Sequence, residues 1–251
     1  MSNGGRWQCT SFRLPRLKGG GIRFGSMKAS DYFSLPPSLA RFAGFFRSEA
    51  PPWEWVAKID AALADLPEPP RREIPAGVHV EGRVWLGEGV RLPPHATLIG
   101  PMWLGAGCDI RPGAFLRGGV IAGEGCVFGH ASEFKHCLFL DAVQVPHLSY
   151  VGDSVLGNRA HLGAGAVCSN LRLDQRNVVI RAPDGVYDTG IQKLGAILGD
   201  GAEVGCNAVL NPGAVLGKRA LVMPAMAFAG VLPSATIAHA RADIRLIPRR
   251  D

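Results

Sequence analysis

No apolar run in the sequence approaches the roughly 20 residues of a membrane span, and the basic N-terminus has no signal-peptide apolar core behind it. None of the six cysteines forms a CxxC pair. Cys108 and Cys126 lie eighteen apart and could stack, but they read as small buried apolar residues in a reducing cytosol. Basic residues cluster at the two ends without the interleaved aromatics of a nucleic-acid face. Low-complexity tracts are missing too, so the 33 glycines and 19 prolines do not signal disorder, though they are too many for a helical protein. These absences point to a cytoplasmic protein that binds neither membrane nor nucleic acid. The net charge of +6 leaves small anionic ligands such as phosphorylated metabolites and coenzyme A, and 47% hydrophobic content supports a real core.

What is abundant is a six-residue period from about Val84 to Pro233. Leu86-Gly-Glu-Gly89, Leu104-Gly-Ala-Gly107 and Ala122-Gly-Glu-Gly125 lie eighteen apart. Leu86, Leu92, Leu98, Leu104, Ile110 and Leu116 lie six apart, and Ala122, Phe128 and Phe134 continue the series to Leu140. Such a period is neither helical nor a plain strand alternation. It describes a triangular coil with one short strand per side and three sides per turn. One inward apolar residue per side fills the prism, glycine turns the corners, and strands of successive coils pair in parallel about 4.8 Å apart. The expected fold is all-β, a parallel β-helix of hexapeptide repeats. Such helices are left-handed as a family and usually trimeric, with ligand sites between subunits.

Along the chain, residues 1–28 read as a flexible basic leader with the Gly19-Gly20-Gly21 cluster, and Met27 offers an internal start. Residues 29–73 read as a helical segment and linker. Pro51 and Pro52 suit a helix start, Trp53, Val56, Ile59, Leu63 and Leu66 recur at helical spacing, and Pro67-Glu-Pro-Pro70 is the linker. The stripe is expected to cap the first coil, as an open solenoid end requires. The β-helix is expected over 74–237. Its phase is read as slipping near Pro146 to Gly152, and residues 171–196 as a loop insertion. Residues 238–251 form a basic tail.

The most informative local stretch is Val145-Pro-His-Leu-Ser-Tyr-Val-Gly-Asp-Ser154, followed by Gly163-Ala-Gly165 and Cys168-Ser-Asn170. It resembles the acetyltransferase domain of the bifunctional N-acetylglucosamine-1-phosphate uridyltransferase family and its archaeal sugar-phosphate relatives, over about Arg111 to Leu216. The resemblance implies transfer of acetyl from acetyl-CoA to the amine of a phosphorylated amino sugar resembling glucosamine 1-phosphate, in a homotrimer. It implies His147 as catalytic base and Asn170 beside it. Lys135, Lys193 and either Arg117 or Arg111 would bind phosphate, Arg117 being preferred because the family's arginine and lysine sit one coil apart. Tyr150 would contact the sugar, and Ala164, Cys206 and the tail residue Arg241 would contact acetyl-CoA. Two positions depart from the family: His161 stands for a substrate asparagine, and Cys206 for a serine near the thioester. The segment before the coil has no room for the family's nucleotide-binding domain, so uridyltransferase activity is not expected.

The residues support this chemistry on their own. Acyl transfer to an amine needs a base, and an imidazole suits neutral pH. A backbone N–H in the Gly-Ala-Gly corner can serve the oxyanion. Arg117 and Lys135 stand eighteen apart, one coil, so they should stack, and like charges stacked in this way argue for a bound anion between them. The alternative of another class is a non-catalytic scaffold binding sugar nucleotides or other anions. A further alternative is a zinc carbonic-anhydrase-like protein, but His130 and His136 fall on different sides of the prism and His147 and His161 complete no triad, so no metal is expected.

Overall fold

The computed structural model describes residues 27–240 and 247–249. The leader before Met27, part of the basic tail and Arg241 lie outside the described residues. From His79 to Ala238 the chain winds a parallel β-helix of three faces, interrupted by one excursion. The first face stacks Thr97–Ile99, the start of Phe115–Ala122, the start of Glu133–Phe139, Tyr150–Gly152, Val167–Cys168 and Val209–Leu210. The second stacks Val84–Leu86, Met102–Leu104, the ends of those same two long strands, Val155–Leu156, Ala196–Leu198 and Ala214–Leu216. The third stacks Asp109–Ile110, Val127–His130, Gln144–His147, His161–Leu162 and Glu203–Val204.

Inward positions of the first face are Leu98, Leu116, Phe134, Val151, Cys168 and Leu210, all buried. One layer is filled by three rings. Phe128 stacks on Phe139 at 5.1 Å between centroids, and Phe134 meets both edge-on. Such filling needs one large side chain per side, which is why the six-residue apolar period reads so clearly.

The phase slip lies earlier than the sequence reading puts it. Phe115 faces Glu133, but Val120 faces Cys137, with a register shift between Arg117 and Val120. Gly118 and Gly119 turn the longer corner with φ of +28° and +73°. The next coil makes the same corner one residue shorter at His136, whose φ is +48°, and the coil after that does so at Asp153, with φ of +47°. The inward series therefore runs Phe134 to Phe139, while Leu140 joins the outer cluster.

The second face carries an apolar row on its outside as well. Trp85, Ile121, Leu138, Val155, Ile197 and Val215 are all buried there. Their cover is the N-terminal segment and its helix Pro52–Ala64, which has proline in its first turn and buries Trp53, Val56, Ile59 and Leu63. This helix packs on Phe115–Ala122, Glu133–Phe139 and Val155–Leu156. It lies along the flank of the prism and not over the first coil, because the apolar row it must bury is on the flank.

The coil continues directly from Val155 to Ile197. The residues between leave the prism after Asn170 and form an antiparallel hairpin of Val179–Ala182 and Gly185–Asp188. Val178 and Ile180 are buried in the flank cluster, and Tyr187 stands 5.7 Å from the Trp53 ring.

Candidate active site

Two groups of residues emerge, one along a corner and one on the first face. The corner joins the third face to the first. The Leu148 N–H donates to the His130 carbonyl at 2.9 Å, Gly165 to His147 at 3.2 Å, Asn207 to Ala164 at 2.9 Å and Ala225 to Cys206 at 2.9 Å. His130, His147, Ala164 and Cys206 thus hold the same corner position on successive coils, about 4.8 Å apart. His147 is exposed, and its ring has no hydrogen-bond partner among the described residues. His130 Nδ1 donates to the Pro112 carbonyl at 2.6 Å, which leaves Nε2 as the basic nitrogen of that ring. Cys206 is exposed, whereas Cys108, Cys126, Cys137 and Cys168 are buried. Burial pushes the Cys137 and Cys168 thiols up, Cys168 to about 12.

On the first face Arg117 and Lys135 are register partners. Arg111 is instead on the third face, its Nε 3.4 Å from Asp109 and its Nη1 3.5 Å from the Pro146 carbonyl. Arg117 Nε donates to Glu133 at 2.7 Å. Lys135 Nζ donates to both carboxylate oxygens of Asp153 at 2.9 Å. Each stacked cation therefore has a carboxylate of its own, and the argument that like charges alone demand an anion does not hold.

Asp153 gathers the rest. His136 Nδ1 donates to it at 3.0 Å, and Asn170 Nδ2 donates to it while also reaching Tyr150 Oη at 3.2 Å. Burial by itself lifts the Asp153 pKa, but the hydrogen bonds from His136, Lys135 and Asn170, with the Lys135 charge, hold it below its ordinary value. Burial, then the Asp153 and Glu133 charges, push Tyr150 up, so it remains a phenol that can donate.

Tyr150, Asn170 and Lys135 are thus brought together. Lys193 is exposed at the neck of the excursion, bridged by its backbone to Leu171. His161 stands apart, on the third face between Gln144 and Glu203. Arg241 is outside the described residues. Among the described residues no three metal-ligating side chains are grouped to hold an ion, and no helix is long and apolar enough to cross a membrane. The sequence reading gave no role to Asp153 or Glu133, and it weighed His136 and His130 only as metal ligands. The signal for Asp153 was available, since it lies eighteen residues after Lys135 and falls within the run that carried the resemblance.

No family model matches the chain. The bifunctional protein GlmU of Methanococcus maripaludis is 34% identical over 179 residues, 71% of this chain and 43% of that protein. A bifunctional sugar-1-phosphate nucleotidylyltransferase/acetyltransferase of Sulfurisphaera tokodaii is 35% identical over 96 residues, 38% of this chain and 24% of that protein. An uncharacterized acetyltransferase, YaiX, of Escherichia coli is 33% identical over 108 residues, 43% of this chain and 47% of that protein. The chain spans less than half the length of these curated relatives. Among solved structures, the acetyltransferase domain of PglB from Neisseria gonorrhoeae aligns over 55% of this chain and 53% of that one, with 15% identity and a TM-score of 0.30.

Proposed function

The chain belongs, over most of its length, with the acetyltransferase part of the GlmU-like bifunctional proteins, and from that premise we propose that it transfers acetyl from acetyl-CoA to the amine of a phosphorylated amino sugar. The observation that carries this reading is the corner column, in which His147, Ala164 and Cys206 follow one another on successive coils. Acetyl-CoA supplies an activated thioester. His147, exposed and unengaged, takes the proton from the attacking nitrogen. The Ala164 N–H has no acceptor among the described residues, which suits it to the oxyanion. Cys206 borders the acyl end of the track, and Arg241 is assigned to the coenzyme phosphate. Tyr150 and Asn170 shape the sugar site, and Lys135, Arg117 and Lys193 face its phosphate.

The same geometry supports a site shared between subunits. His161 is on the third face, whereas Lys135 and Tyr150 are on the first. A site that uses all three closes where the first face of one protomer meets the third face of the next, as in a homotrimer. One observation favours the rival reading of a non-catalytic scaffold: Arg117 and Lys135 are already neutralised by Glu133 and Asp153.

The deciding experiment measures acetyl-CoA consumption over a panel of amino-sugar phosphates, in wild type and His147→Ala. Turnover that falls by roughly 10²- to 10⁴-fold in the variant is the expected result. No turnover with any acceptor overturns the enzyme reading, and turnover indifferent to His147→Ala overturns its assignment as base.

A further inference from the structure

Asp153 is the one carboxylate among the buried polar residues described, at 3% exposure. A buried carboxylate is tolerated only when its acceptor positions are filled, and those of Asp153 are filled from separate parts of the chain. Oδ1 accepts from Lys135 and His136, and Oδ2 from Lys135 and Asn170. Its backbone carbonyl accepts from Gly195 at 2.8 Å.

Two of these partners are the ends of the excursion. The chain leaves the prism after Asn170, which Asp153 holds by its side chain, and returns at Gly195, which Asp153 holds by its backbone. Between them Leu194 N–H donates to the Asn170 carbonyl at 2.9 Å and closes the neck. Lys193 is the next residue out, bridged to Leu171. Lys135, for its part, has three N–H donors. Two are directed at Asp153, and the side chain keeps 21% exposure. One donor is left, on a stem that no longer swings freely, so an anion meeting it costs little further ordering.

We propose that Asp153 is the positioning residue of the site: its buried carboxylate sets the direction of the Lys135 ammonium and anchors the Asn170 end of the neck, whose return at Gly195 its backbone carbonyl holds, so that one residue fixes the excursion that presents Lys193. Its kinetic consequence rests on the acetyltransferase reading, and its structural consequence does not. Through His136, whose Nε2 lies 3.5 Å from Asp60 on the helix Pro52–Ala64, the same carboxylate is also tied to the flank.

The test compares wild type with Asp153→Asn in the full chain, by steady-state kinetics and by the rate at which trypsin nicks the excursion at Arg172, Arg176, Arg181 and Lys193, mapped by mass spectrometry. The expected result is an acceptor KM raised roughly tenfold or more, an acetyl-CoA KM within about twofold of wild type, and nicking faster by about tenfold or more with the melt still cooperative. An acceptor KM that does not move, or one that rises by the same factor as the acetyl-CoA KM, overturns the proposal. If wild type turns over no acceptor, the acetyltransferase reading fails and nicking alone decides, an unchanged rate overturning the anchoring. Should Asp153→Asn not fold, Asn170→Ala cuts one bond and leaves the Lys135 pair intact. Faster nicking is expected in it, and nicking at the wild-type rate overturns the proposal.

Discussion

Gly152 lies so close to Tyr150 that a Cβ on it would stand 2.5 Å from the phenol oxygen, and 2.8 Å from Asn170 Nδ2. The Tyr150 ring folds back over its own strand, and the Asn170 amide comes to rest on the same spot. Gly152→Ala is therefore expected to push both side chains off their positions while Lys135, in register with residue 152, keeps its backbone place. The loss of stability should be about 1–3 kcal/mol, the range for overpacking, and the acceptor KM should rise more than the acetyl-CoA KM. Equilibrium unfolding and steady-state kinetics check the two parts.

Asp153 predicts the behaviour in acid. Its folded pKa is held below the ordinary 3.8, so the stability it contributes is present above that value and is lost as pH falls through the folded pKa. The difference in unfolding free energy between wild type and Asp153→Asn should be constant from neutral pH to about 5 and should shrink below about 4. Urea titrations at a series of pH values measure it. A difference that grows in acid contradicts the sign.

The eighteen-residue ruler was legible in the sequence because inward residues such as Leu98 and Leu116 are uniformly apolar and regularly spaced. The shortened corner was not, because Phe139 and Leu140 are both apolar and both buried, one inward and one beneath the N-terminal cover. Hydropathy cannot tell which of the two fills the prism. The outer row defeats it in the same way: Ile121, Leu138 and Val155 look like core, but they pack against a helix outside the coil. At the site, spacing correctly stacked Arg117 on Lys135, whereas the column that joins His147 to Ala164 is seen only in the structure, because the two lie seventeen residues apart and not eighteen. Spacing did not show that Glu133 and Asp153 neutralise the pair, since that depends on which way each side chain turns, Glu133 at the start of its strand and Asp153 at a corner of positive φ.

Cys206 makes the corner track accessible to chemistry. Among the described cysteines it alone is exposed, and acetyl-CoA lying along His147, Ala164 and Cys206 would cover it. Alkylation of the Cys206 peptide by iodoacetamide should slow by roughly tenfold when acetyl-CoA is present at ten times its Kd. The readout is the mass of that one peptide. A rate independent of acetyl-CoA would place the coenzyme elsewhere and leave the acyl-transfer corner without a donor.

The flank supplies the last prediction, which concerns stability alone. Val155 and Val127 both point outward from the coil and differ in what lies over them. Val155 is fully buried beneath the helix Pro52–Ala64, and Val127 is half-buried on the third face. Aspartate at position 155 would place an unpaired carboxylate among Ile121, Leu138 and Ile197, and the helix can relieve this only by leaving its seat. Val155→Asp should therefore cost about 3 kcal/mol or more and expose apolar surface that binds an anilinonaphthalene dye before the β-helix melts. Val127→Asp changes the same residue type without uncovering a second layer, and should cost under about 1 kcal/mol. The order of the two transitions matters more than the totals. The β-helix has its own interior of Leu98, Leu116 and Phe134, untouched by the substitution, so it should outlast the flank. If both units melt together in Val155→Asp, the N-terminal segment is an integral part of the folding unit and not a cover laid on a finished prism.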